Sequence, residues 1–186
     1  MDSRAPSIAA IGVLGRHNNP LHISLFPSTT LDPATAQPVP QEHRDKLDYA
    51  FKLNSCLDIF EARMPSKSIG HDFGLLHALD ERIAMYGWLL NTGVKLVIVV
   101  DMEGAPVKAG SAAATGLGLR GGDLTPAFQA LQTAYIRLLR NPFYVPDEHD
   151  PKLAVDRKGS LQIMSPRFTK EVERIGKAWY PGIPAI

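Results

Sequence analysis

The chain has 186 residues, 45% of them hydrophobic and 21% charged, with a formal net charge of +1 and a single cysteine, Cys56. That length suits one domain with a real core, and the near-neutral balance excludes a general nucleic-acid or membrane-surface binder, which needs a cationic field. One cysteine excludes an internal disulfide, no run reaches the roughly 18–20 apolar residues of a membrane span, and the first six residues lack a signal-peptide layout, so a soluble, cytosolic protein is expected.

Residues 7–14 read as a strand of small apolar side chains suited to a sheet centre. Gly15-Arg16-His17-Asn18-Asn19-Pro20 is dense in turn formers, and residues 21–26 alternate apolar and polar as a half-buried strand does. Residues 27–42 hold four prolines among Ser, Thr and Gln, with little to bury, and are expected as an exposed loop. Residues 43–64 are a helix, with Tyr49, Ala50, Leu53, Cys56, Leu57, Phe60 and Met64 on one face. Met64-Pro65 ends it, because the residue before proline avoids the helical region.

Residues 66–71 are linker and 72–79 a strand. Residues 83–101 are the stretch around which the chain is organised. From Val94 to Val100 the side chains are mostly β-branched and apolar on both sides, so this strand is central and covered on both faces. Asn91-Thr92-Gly93 turns the preceding run back as its hairpin partner. Residues 103–122 are Gly- and Ala-rich without period and read as a second loop. Thr125-Pro126 opens a helix by hydroxyl capping, with Phe128, Leu131, Tyr135, Leu138 and Leu139 buried and Asn141-Pro142 as its stop. Ser165-Pro166 opens the last helix, with Phe168, Val172, Ile175 and Trp179 on one face. The order predicts an α/β (α+β) fold: a mainly antiparallel sheet of five strands, one helix on one face and two on the other.

Gly116-Leu117-Gly118-Leu119-Arg120-Gly121 matches the dinucleotide fingerprint literally. That fingerprint works only where its glycines join a parallel strand to a helix, and no βαβ unit surrounds it here. The histidines (17, 22, 43, 71, 77 and 149) show no metal-ligand spacing on a helix face, and Cys56 lies on an apolar face where a thiol is packing. No catalytic residue, cofactor site or metal site is expected, which favours a binding or scaffolding protein over an enzyme.

Four segments carry a resemblance. They are residues 8–25 around His17-Asn18-Asn19-Pro20-Leu21, the helical Leu53-Asn54-Ser55-Cys56-Leu57-Asp58, Tyr86-Gly87-Trp88 through Asp101, and Asn141-Pro142-Phe143-Tyr144. Together they resemble the sedlin/TRAPP small-subunit family with its longin-like (profilin-like) fold, and Asn-Pro-Phe-Tyr after an amphipathic helix is the most specific element. Residues 165–175 fit as well, and the central hairpin is closer to the sedlin-like (TRAPP subunit 2-like) branch than to sedlin itself. Against the family pattern, residues 28–42, 103–122 and 147–160 look like insertions in a single domain spanning 1–186.

The resemblance implies a non-catalytic adaptor or assembly subunit of a TRAPP tethering complex. These complexes act as Rab guanine-nucleotide exchange factors in ER–Golgi and Golgi traffic. Implied partners are other TRAPP subunits and, indirectly, a Rab GTPase; the implied location is cytoplasmic, peripheral to Golgi and ER–Golgi membranes. The alternative is a longin regulatory module of SNARE-mediated fusion, a chain expected to carry a heptad helix and an anchor, neither of which residues 1–186 contain.

A second stripe on the first helix holds Leu47, Phe51, Asp58 and Ala62. Either a broad helix face packs into the same core, or the stripe is a partner interface in which Asp58 selects a donor on the partner. In the first reading Asp58 caps or pairs within its own fold.

Overall fold

The computed structural model describes residues 4–32, 35, 37–64, 71–106, 119–144 and 162–186. In chain order these form β1 (Arg4–Leu14), β2 (Pro20–Leu25), β3 (Ser28–Leu31), β4 (Pro38–Glu42), α1 (Lys46–Arg63), β5 (Asp72–Ala78), β6 (Ile83–Leu89), β7 (Lys95–Pro106), α2 (Thr125–Leu139) and α3 (Pro166–Ala178). The β-branched run after Gly93 becomes β7 and takes the middle of a five-stranded antiparallel sheet of order β2-β1-β7-β6-β5. Its side chains explain the position: Val94, Leu96, Ile98 and Val100 enter one core, Val97 and Val99 the other. Gly93 has φ of 80°, which lets the β6–β7 turn close with the Leu90 N–H donating to the Val94 carbonyl at 2.8 Å.

Helix α1 covers one face of the sheet, and α2 with α3 the other. On the larger side Phe128, Leu131 and Leu138 of α2 and Phe168, Val172 and Ile175 of α3 meet Ile8, Ile11, Leu96 and Ile98. Trp88 on β6 stacks on Phe128 at 5.4 Å and donates to Gln132 Oε1 at 3.2 Å, tying sheet to helix. On the smaller side Tyr49, Leu53, Cys56 and Phe60 of α1 meet Leu14, Met85, Val97 and Val99. Each large side chain buried this way contributes roughly 1.5–3 kcal/mol. The layering is that of a longin-like fold, with the five-stranded sheet and three helices the sequence predicts.

Three expectations change. Residues 28–42, expected as an exposed loop, carry the β3–β4 ladder, with Thr29 opposite Pro40 and Thr30 opposite Val39. Proline is tolerated there because a two-stranded ladder is all edge, where a missing N–H can face outward. Strand β3 lies against β7, Ser28 is buried, and Arg4 donates to the Thr29 carbonyl at 2.9 Å. Second, residues 103–106, expected as loop, extend β7: past a β-bulge, Ala105 and Pro106 pair with Ala5 and Arg4.

Third, Thr125 does not cap α2. The cap is Leu124, already near helical geometry at φ −91° and ψ −11°, with no side-chain cap bond. A turn in which Asp123 accepts from the Arg120 N–H at 2.8 Å feeds the chain into the helix one residue earlier. Ser165 does cap α3, accepting from the Phe168 N–H at 3.4 Å. Residues 66–70 of the expected linker, most of the glycine-rich run and residues 147–160 lie outside the described residues.

Candidate functional site

The sheet is built to receive α1 closely. A Cβ on Gly12 would come within 2.7 Å of Leu53 Cδ1, and one on Gly87 within 2.6 Å of Phe60 Cζ. Two bare backbone positions in β1 and β6 therefore let two helix side chains drop onto the sheet. The helix starts where Asp45 caps it, its carboxylate accepting from the Leu47 N–H at 3.0 Å.

Just before the cap, Arg44 runs into the core. It donates to the Phe26 carbonyl at 2.6 Å, to the Tyr49 hydroxyl at 2.6 Å and to Asp101 Oδ2 at 2.7 Å. Arg82, from the β5–β6 turn, donates to the two oxygens of Asp101 at 2.7 and 2.8 Å, and the Glu103 N–H adds a bond at 3.0 Å. Asp101 is wholly buried and Arg44 nearly so. Burial pushes the Asp101 carboxyl up, but hydrogen bonds from Arg82, Arg44 and the backbone outweigh it and hold it below its usual value.

The other end of α1 is also tied down. Glu61 accepts from Asn18 at 2.8 Å, and Asn18 in turn accepts from the buried Lys95 ammonium at 2.8 Å. Arg63 donates to the Leu75 carbonyl of edge strand β5 at 2.7 Å.

On this fixed helix the sequence-predicted stripe faces outward. Leu47 is 63% exposed and Phe51 67%, while Tyr49, Leu53, Cys56 and Phe60 are buried on the opposite side. Asp58 and Ala62 are exposed too, and at ~100° per residue all four fall within about 60° of arc. Asp58 makes no hydrogen bond or ion pair with another described residue. What the helix presents is two large apolar side chains, a methyl group and one uncommitted carboxylate.

Elsewhere the chemistry is quiet. Burial pushes the Cys56 thiol up to about 12, with its sulfur 3.4 Å from that of Met85. His22 is held below its usual value by burial and then by the Lys46 charge, Glu173 opposing; its ring meets Phe168 edge-on at 5.5 Å. Among the described residues no cluster of His, Cys, Asp or Glu could hold a metal ion. No described helix is long and apolar enough to cross a membrane. Sequence reading missed the Arg44–Asp101–Arg82 cluster; the available signal was a carboxylate ending a β-branched run and an arginine beside a helix cap.

The chain has known relatives. A family model described as Sedlin matches residues 13–178. The trafficking protein particle complex subunit 2-like protein of Dictyostelium discoideum is 32% identical over 143 residues, covering 75% of this chain and 84% of the relative. Its namesake in Taeniopygia guttata is 25% identical over 160 residues, covering 83% and 95% respectively. That of Bos taurus is 22% identical over 152 residues, covering 78% and 89%.

Proposed function

The chain belongs to the sedlin family, and on that premise we propose that it is a non-catalytic subunit of a trafficking protein particle (TRAPP) complex. In this reading α1 is the adaptor surface through which the chain joins its neighbours. The assembled complex acts on a Rab GTPase in ER–Golgi or Golgi traffic, and this subunit meets membranes only through that complex. The observation that supports the reading best is the outer stripe of α1, where Leu47 and Phe51 are exposed beside Asp58, which has no partner among the described residues.

A helix that is anchored at both ends before its partner arrives loses little entropy on docking. Leu47 and Phe51 then supply the apolar burial, and Asp58 rejects partners that offer no donor. Affinity purification of the tagged chain from its own cells tests this. The wild type should co-elute with other TRAPP subunits, and Asp58→Lys should lose most of them while its purified form melts and elutes from a sizing column as the purified wild type does. Retention of all subunits by Asp58→Lys would place the interface elsewhere. The purified chain alone should leave fluorescent nucleotide release from a Rab at its intrinsic rate, and an accelerated release would mean that the subunit is itself an exchange factor.

A further inference from the structure

Helices α2 and α3 leave a cleft of about 900 Å³ between the end of one and the start of the other. Leu138 and Phe168 form part of its lining, and Arg137, Arg140 and Arg167 surround them. The one carboxylate in the lining, Glu171, has both oxygens engaged by Arg174, at 2.7 and 3.1 Å. None of the three lining arginines forms a close ion pair among the described residues, although the Arg137 charge, after Arg174, helps to hold the Glu171 carboxyl below its usual value.

Two of the three have an internal account, because Arg137 and Arg140 lie at the carbonyl end of α2, which favours cations. Arg167 has none. It stands in the first turn of α3, where the exposed N–H groups already make the helix end positive, and no acidic residue shares that turn. Two exposed apolar side chains stand close in sequence to lining residues: Phe143, 92% exposed, two residues after Asn141, and Met164, 78% exposed, just before Ser165. Both stand on ordered backbone. Asn141 accepts from the Phe143 N–H at 3.1 Å, and next to Met164 the Ile163 N–H donates to the Leu21 carbonyl at 2.8 Å.

We propose that this cleft binds an acidic segment of a partner polypeptide. Carboxylates of the segment meet the three guanidinium groups, whose planar forks suit them, and an apolar side chain rests on Leu138 and Phe168. A concave site with charge gathered around an apolar floor fits a peptide side chain better than a bilayer, which meets flat or convex surfaces. The cleft lies on the sheet face opposite α1, so it is a second surface and does not rest on the role proposed for the first.

The test is fluorescence anisotropy on the full chain, with a short fluorescein-labelled glutamate-rich peptide carrying one central phenylalanine. Binding should weaken roughly tenfold in Arg137→Gln/Arg167→Gln and further in Arg137→Glu/Arg167→Glu, and it should fall with added salt. Phe51→Asp on α1 should bind as wild type does. Arg16→Glu/Arg120→Glu, which shifts the net charge equally away from the cleft, should also bind normally. Thermal melts establish that the variants fold, and the Gln pair keeps the test valid if the Glu pair does not. Absence of binding, or equal loss in the remote charge variant, overturns the proposal. So does cleft-dependent binding of phosphatidylcholine–phosphatidylserine vesicles without binding of the peptide.

Discussion

Helices α1 and α3 each cover part of one face of the same sheet, and both bury their inward side chains almost completely. Their outer surfaces differ. Along α3 the exposed residues are Arg167, Lys170, Glu173, Arg174 and Lys177, with only Pro166 and Ala178 among them as small apolar groups. Along α1 the outward residues include Leu47 and Phe51, each about two-thirds exposed. The α3 pattern shows that covering a sheet requires no apolar residue on the solvent side. The two side chains on α1 are therefore not required by the packing of the helix, which is what motivates the interface proposed for them.

The anchoring differs as well. Ser165 caps α3 and its apolar face holds the rest, whereas α1 is seated by a buried charge cluster and a glycine floor. Replacing Asp101 with Asn should have the largest effect on this comparison, because Arg44 would then be a buried charge without its counter-ion. The expected loss is about 3–5 kcal/mol, or roughly 10 °C in melting temperature at ~2–4 °C per kcal/mol for a chain of this size. Urea unfolding measures it. The pH dependence has a fixed sign: the Asp101 pKa is lowered in the folded state, so its stabilisation is complete above the unfolded value near ~3.9 and fades as pH falls through the lower folded value. Asp101→Asn should flatten that acid limb.

Gly87→Ala should cost less. The new Cβ would lie 2.6 Å from Phe60 Cζ and 2.7 Å from Leu76 Cδ1, both buried, so α1 or the β5 side chain must shift. About 1–3 kcal/mol is expected, as for other overpacked sites. A neutral result in thermal unfolding would mean that α1 is not held as tightly on the sheet as these contacts indicate.

What can be read in the sequence divides along the same line. The central hairpin is legible because the alternation of Val94, Leu96, Ile98 and Val100 against Val97 and Val99 already states that both faces are covered. Both stripes of α1 are legible from helical spacing, though spacing alone leaves Phe51 either in a broad core or in solvent. The β3–β4 ladder is hidden by its prolines, which normally argue against a strand and are harmless only at an edge. Arg44, Arg82 and Asp101 share no spacing, since they come from a loop, a turn and a strand that only the folded sheet brings together. The arginine cleft is hidden for the same reason: its walls belong to the end of one helix and the start of another.

Phe51→Asp has the smallest expected effect on stability and bears most directly on the account. Thermal unfolding of the isolated protein should show a change within about 0.5 kcal/mol, as for a surface site, with Lys170→Asp on α3 as the matched control. In the same cells, co-purification with other TRAPP subunits should be abolished by Phe51→Asp and untouched by Lys170→Asp. Contradiction would take the form of unchanged co-purification, or of a melting temperature many degrees lower, which would put Phe51 in the core of the protein.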